Sequence, residues 1–359
     1  PYEAWKHVES RRADKLSRIP PAAIYGGATT LTTSLEHQGE RLIPLLSERC
    51  QAPNGSVGGS PSATAYLLTK ECNPLALDYL YRVAHLGTDG GIAFLHPFEI
   101  FETAWVLYYL DGLPLDAELI KPHLDRLASC WTSTGVGWTG EWPLSDSDDT
   151  AVVFKLLCGH GYGPDPRVFW LYEGGDHFHC FPFERDPSVG ANAHILEALS
   201  DVPPEFEVSP LVSKLTRYLK SARSPEGHWL DKWHASPYYA THQCARALSP
   251  HPTLLRPTLD WLMDEQHENG SWGVEGGNPE ETALALASLQ TIADGRLTEH
   301  PEMRLAADRG ASYLAEHRED AKQPALWRGK ALYRPDHIVQ ATILGALYDY
   351  ARRQERVPA

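Results

Sequence analysis

Two kinds of helical segment alternate along this chain, and that alternation limits the folds open to it. Residues 150–158 (TAVVFKLLC) and 282–290 (TALALASLQ) are apolar on most sides of a helix. Residues 117–130, 210–222 and 303–318 instead carry an apolar stripe opposite a charged face. A helix that is apolar nearly all round has to be enclosed, and one with a charged face has to lie outside. The two kinds exchange about a dozen times, and strand signals are few. The pattern predicts an all-α fold, an α/α barrel of inner and outer helices, extending over residues 1–359 as one domain.

A degenerate repeat points the same way. The pairs are QAPNGS at 51 with SATAY at 62, GVGW at 135 with DDTA at 148, EGHW at 226 with YAT at 239, and QHENGSW at 266 with EETA at 280. Each is a Gly-containing turn followed, after roughly ten residues, by the start of an apolar helix. Such units read as packing devices, with a turn after an outer helix leading into an inner one. They place every Thr-Ala helix start at the same end of the barrel.

Composition removes several classes of function. A formal charge of −15 argues against a nucleic-acid partner, whose phosphates need a basic face. No stretch has the apolar length of a membrane span, and no charged-then-apolar leader precedes the first helix. The six cysteines, at 50, 72, 130, 158, 180 and 244, lack Cys-x-x-Cys spacing and fit buried thiols of a reducing cytoplasm. The chain opens on Pro1 rather than Met, which reads as part of a longer product.

The chemistry concentrates in SDSDDTA, residues 145–151. Asp148 or Asp149 could simply cap the inner helix that starts near Thr150. The cluster could also hold a divalent cation. A third reading follows from crowding. Ser62 and Tyr239 stand in equivalent slots elsewhere, so the barrel does not need carboxylates there. Three like charges in a partly desolvated place raise at least one carboxyl pKa. An acid kept protonated beside aromatic walls can deliver a proton to an alkene.

Residues 146–151 resemble the Asp-x-Asp-Asp signature of class II terpene cyclases, the family of squalene-hopene cyclase and the copalyl diphosphate synthases. Collinear resemblances surround it. They include QAPNGSVGGSPSATAY at 51–66, KLSRIP at 15–20, residues 29–36, GGIAFLHP at 90–97 running on to Trp105, and WRGKALYRP at 327–335. The resemblance implies a barrel of the type called the β domain in this family, with Asp148 as general acid and Asp146 and Asp149 tuning it. It implies His194 as the acid's hydrogen-bond partner, and Lys330, Lys15 and Arg334 as cations for a diphosphate. Trp105, Trp138, Phe181, Trp233, Tyr238 and Tyr239 are the aromatic candidates to line the cavity, where ring faces stabilise a carbocation by about 2 kcal/mol or more.

Where plant relatives use a His and an Asn to place the water that removes the last proton, this chain has Thr33 and Phe94; His96 is the nearby alternative. The family's γ domain, with an acidic Mg2+-binding segment, is expected before residue 1. Mg2+ is therefore expected with the diphosphate, its ligands lying outside this chain. The activity implied is protonation-initiated cyclisation of geranylgeranyl diphosphate to a copalyl-type diphosphate. Farnesyl diphosphate is the alternative substrate. No Asp-Asp-x-x-Asp motif is present, which argues against ionisation of the diphosphate. Two other classes share the barrel: a glycosidase with paired carboxylates, and a non-catalytic helical interaction module.

Overall fold

The computed structural model describes residues 2–17, 29–37, 50–86, 91–182, 184–294, 301–320 and 323–356. Among them helices dominate, and the regular sheet is one hairpin, β1 (Trp327–Arg328) antiparallel to β2 (Leu332–Tyr333). Where the helix alternation alone predicts one barrel, the chain divides into two compact units, Pro1–Glu99 with Thr139–Leu144, and Ile100–Trp138 with Ser145–Ala359.

The first unit contains α1 (Tyr2–Ser17), α2 (Pro61–Leu68) and α3 (Pro74–Ala84), with a core of Leu35, Cys50, Val57, Ala63, Leu67 and Ala76. Ser60 and Asn73 cap α2 and α3, accepting from Ala63 N and Ala76 N, and Pro61 and Pro74 follow in the first turns.

The second unit carries the barrel helices. They are α4 (Glu99–Tyr109), α5 (Ala117–Ser129), α6 (Ser147–Gly159), α7 (Val189–Ala198), α8 (Ser209–Ala222), α9 (Pro237–Ala247), α10 (Arg256–Asp264), α11 (Pro279–Asp294), α12 (Pro301–His317) and α13 (Asp336–Arg356). Helices α6, α7, α9, α11 and α13 pack against one another in succession. Outside them, α5 lies on α6, α8 on α7, α10 on α11, and α12 on α11 and α13. Helix α13 reaches α4 through Gly345, where a Cβ would stand 2.2 Å from the Tyr109 carbonyl oxygen, so a glycine is needed for that approach. The inner assignments of 150–158 and 282–290 hold, since α6 and α11 are buried along most of their length.

The repeat has a specific chemical basis. In each unit the threonine of the helix start accepts a hydrogen bond from a backbone N–H of the preceding turn. The pairs are Val57 N to Thr64 (2.8 Å), Val136 N to Thr150 (3.1 Å), Trp229 N to Thr241 (3.0 Å) and Trp272 N to Thr282 (3.0 Å). A fifth unit is hidden in the sequence because asparagine replaces threonine: Asn192 Oδ1 accepts from Phe178 N at 2.8 Å and its Nδ2 donates to Phe178 O. Trp229 and Trp272 donate their indole N–H to Leu219 O and Leu262 O at the ends of outer helices, both at 2.7 Å. Trp138 stands two residues beyond the tied Val136, and its buried indole N–H finds no acceptor among the described residues. It is therefore not the counterpart of the other two tryptophans.

Thr282→Val keeps the shape of the side chain and strands the buried Trp272 N–H. We expect a loss of about 1–3 kcal/mol, read as a melting temperature lowered by a few degrees in calorimetry. An unchanged melting temperature would show that the tie contributes nothing.

Cys180 and Cys244 are buried as expected, but Cys72 is exposed and Cys130 and Cys158 are half-buried. No helix among the described residues is long and apolar enough to cross a membrane.

Candidate active site

Helix α6 begins at the acidic cluster, and its cap is Asp146 rather than Asp148 or Asp149. Asp146 has extended backbone, and its Oδ1 accepts from Asp148 N at 3.0 Å and Asp149 N at 2.8 Å. Capping by the first aspartate releases the carboxyl groups of the other two for different work. Asp146 and Asp149 are 3% and 5% exposed. Burial pushes both upward, Asp146 to about 7, and Asp149 well above the carboxylate range with the charge of Asp146 adding to burial. Asp149 Oδ1 is buried without a partner among the described residues.

Asp148 turns toward α7. Its Oδ1 lies 2.6 Å from His194 Nδ1. The Asp148 side chain is 14% exposed and that of His194 only 1%. His194 Nε2 is buried without a partner among the described residues, so the ring proton belongs on Nδ1, which donates to Asp148 Oδ1. The other oxygen, Oδ2, is then the one able to carry a transferable proton. Trp105 and Tyr108 of α4 present themselves edge-on to the His194 ring, at 5.5 and 5.4 Å and nearly perpendicular. They fix its plane.

A buried ionic network holds that niche from behind. Tyr108 donates to Glu197 Oε2 at 2.5 Å, and Arg246 reaches Glu197 Oε1 with two nitrogens, at 3.2 and 2.8 Å. The Arg246 guanidinium also lies over the Tyr108 ring, 4.0 Å from its centre. Burial alone would raise the Glu197 carboxyl, but Arg246 and Lys155 outweigh it and hold it at about 2. Glu197 sits three residues beyond His194 on α7, on the same side of the helix. Nothing in the local sequence announces it, because its partners are 89 and 49 residues away.

The other candidates fall into three groups. Trp105 and Tyr239 meet, with Trp105 Nε1 donating to the Tyr239 hydroxyl at 3.2 Å. Trp138, Phe181 and Trp233 form a file, each neighbouring pair edge-on with ring centres 6.4 Å apart. Tyr238 does not join them. It packs on Trp261 of outer helix α10, at 4.8 Å. Successive residues of a helix point about 100° apart, so Tyr238 and Tyr239 cannot share a face.

Lys330 is exposed on the turn of the β1–β2 hairpin, and Arg334 follows it with Nε donating to Asp336 at 2.5 Å. The hairpin lies beside residues 233–235, with Arg328 N bonding Trp233 O and Ala235 N bonding Leu326 O. It therefore reaches the entry of α9, the same end at which α6 begins. Tyr333 on β2 lies within electrostatic reach of Asp149. The Lys15 side chain lies outside the described residues. Thr33, Phe94 and His96 belong to the first unit, where Thr33 bonds Thr30 O and Phe94 rests edge-on to Phe98.

Among the described residues no group of three or more His, Cys, Asp or Glu is arranged to hold a metal ion. Within the acidic cluster, Asp146 Oδ1 accepts from two backbone amides and Asp148 Oδ1 faces His194.

Comparison with known proteins accords with this geometry. Residues 184–331 match the family Squalene-hopene cyclase C-terminal domain. A copalyl diphosphate synthase of Streptomyces cyslabdanicus is 37% identical over 82% of this chain and 58% of its own length. A type B diterpene cyclase of Mycobacterium tuberculosis is 33% identical over 89% of this chain and 65% of its own length. This chain thus spans roughly three-fifths of these curated relatives. The solved structure of ent-copalyl diphosphate synthase from Streptomyces platensis superposes with a TM-score of 0.82 at 31% identity, covering 95% of this chain and 67% of that one. With the acid–histidine pair at the head of an inner barrel helix and a relative of this likeness along nearly its whole length, the chain belongs to the class II terpene cyclases.

Proposed function

We propose that this protein cyclises geranylgeranyl diphosphate to a copalyl-type diphosphate by protonating its terminal alkene, with the diphosphate retained. The observation that carries the reading is the Asp148–His194 pair, 2.6 Å apart, nearly enclosed, and walled by Trp105 and Tyr108. An alkene is a very weak base, so its acid must give up a proton into a site that stabilises the carboxylate left behind. His194 Nδ1–H does this for Asp148 Oδ1, while Oδ2 delivers the proton. The alkene π electrons form the new C–H bond, and the next double bond closes on the resulting cation.

Aromatic faces then stabilise the moving charge, and Trp105, Tyr239 and the Trp138–Phe181–Trp233 file are the rings assigned to this work. A carbocation cascade needs such walls and no hydrogen-bonding solvent. Lys330, Arg334 and Lys15 are assigned to the diphosphate, whose charges require cations near them. Mg2+ would accompany the diphosphate, with ligands beyond the described residues, and no step above depends on it. Farnesyl diphosphate would undergo the same chemistry and give a bicycle with a shorter tail.

The test is incubation of the protein, expressed from its complete coding sequence, with geranylgeranyl and farnesyl diphosphates and Mg2+. Products are dephosphorylated and identified by mass spectrometry. A bicyclic C20 alcohol after phosphatase treatment is the expected result. Turnover of farnesyl diphosphate alone would move the reading to the C15 substrate, and inorganic diphosphate released with either substrate would overturn it.

A further inference from the structure

The repeat register exposes a second carboxylate in the position of Asp148. Counting back two residues from the tie that anchors each inner helix, Thr150 leads to Asp148 and Thr282 leads to Glu280. Both stand in the first turn of their helices. The two helices, α6 and α11, are separated along the inner succession by α7 and α9. Glu280 is 2% exposed. Ser62 and Tyr239 show that the fold does not demand a carboxylate in such a slot, so its recurrence at α11 requires its own account.

Glu280 is held in an unusual way. Its Oε1 accepts from Trp327 Nε1 at 2.7 Å and faces His234 Nε2 at 3.3 Å. His234 Nδ1 accepts from Ser236 N at 3.1 Å, which puts the ring proton on Nε2 and makes it a donor to Glu280. His234 is itself clamped, stacked on Tyr239 at 4.7 Å and edge-on to Trp327 at 5.0 Å. Both donors thus crowd one carboxyl oxygen. The other, Oε2, is buried with no partner among the described residues. A buried carboxyl oxygen without a hydrogen bond is costly, by about 1–3 kcal/mol, and Oε2 has its lone pairs open to accept a proton. The two acidic sites are joined through rings: Tyr239, stacked on His234, accepts from Trp105, which stands edge-on to His194.

We propose that Glu280 is the terminating base of the cyclisation, with Oε2 accepting the last proton while Trp327 and His234 hold Oε1. This rests on the cyclase reading above. The resemblance aligns Thr33 and Phe94 with the plant His and Asn, and neither side chain is a base. In the step, a C–H bond beside the final cation breaks, its electron pair becomes the new alkene, and the proton goes to Oε2. Asp148 gave one proton and Glu280 takes one, so the reaction is a net isomerisation. Solvent returns both groups to their starting states.

Glu280→Gln keeps the acceptor that Trp327 and His234 need and replaces Oε2 with an amide that cannot take a proton. We expect kcat to fall by about 10²–10⁴-fold, with KM within about twofold. The product should shift toward other alkene isomers or an alcohol from water capture of the unquenched cation. Melting curves and circular dichroism establish that the variant folds. If it does not, Trp327→Phe serves instead, removing one donor while keeping the carboxylate, and is expected to yield the same by-products beside the main one. A folded Glu280→Gln that makes the wild-type product at the wild-type rate overturns the assignment. Where Glu280→Gln does not fold, a Trp327→Phe variant with an unaltered product ratio overturns it. If the unmodified protein forms no cyclised diphosphate, the cyclase reading itself has failed.

Discussion

Replacing Asp148 with asparagine is expected to lower cyclisation by about 10⁴-fold or more, at or beyond the upper end of what a positioned acid supplies, with little change in fold. The substitution is nearly isosteric. Its carbonyl oxygen can still accept from His194 Nδ1, the contact that Asp148 Oδ1 makes at 2.6 Å. The helix start should survive, because the cap of α6 is Asp146 and not Asp148. What disappears is the O–H on the second oxygen, and no neighbouring group stands in for it. Asp149 is pushed upward by burial and by Asp146, but Asp148 is the member of the cluster that contacts His194. The measurements are product formation under single-turnover conditions and affinity for a non-reactive prenyl diphosphate analogue. Normal cyclisation by Asp148→Asn would show that the proton comes from elsewhere. Loss of both activity and analogue binding would mean that Asp148 supports the site rather than drives the reaction.

How much of this was legible in the sequence differs between fold and site. Inner and outer helices could be separated because burial leaves a direct mark on composition: α6 and α11 are apolar nearly all round, and α8 is not. The Gly turns were visible too, although their meaning was not. What ties each turn to its helix is a side-chain acceptor, and when Asn192 replaces threonine the pattern breaks in the sequence while the hydrogen bond persists. The acidic cluster stands out in the sequence, yet the division of hydrogen bonds within it was hidden. Which aspartate caps depends on one residue's backbone angles, and Asp146 alone has the extended conformation before α6.

Long-range partners were the least legible. His194 lies 46 residues from Asp148 and was reached only through family resemblance. Glu197, Tyr108 and Arg246 form a network across three helices that no local motif encodes. Tyr238 was misjudged because an aromatic pair in sequence looks like one surface, whereas on a helix its members diverge, one toward Trp261 and one toward Trp105. Glu280 was passed over for a related reason. In EETA it reads as an ordinary acidic first turn, and only its burial beneath Trp327 and His234 distinguishes it.

The second large effect is expected at His194. Its ring touches Asp148 through one nitrogen and leaves the other unbonded among the described residues, and the role proposed for it is to orient the acid and stabilise the carboxylate formed when the proton departs. His194→Ala removes that donor. We expect kcat to fall by roughly 10²–10⁴-fold, with KM and the carbon skeleton of the product unchanged, because neither the cations proposed for the diphosphate nor the aromatic file is altered. The truncation also empties a niche between Trp105 and Tyr108, so the melting temperature should fall, and rates are to be compared well below it. A merely structural role would produce that thermal loss as well. The two are separated by combining His194→Ala with Asp148→Asn. A residue that acts through the acid has nothing left to act on once the acid is gone, so the double variant should be no slower than Asp148→Asn alone. Full additivity of the two losses would show that His194 serves the reaction by a route independent of Asp148, and the pairing proposed for them would have to be abandoned.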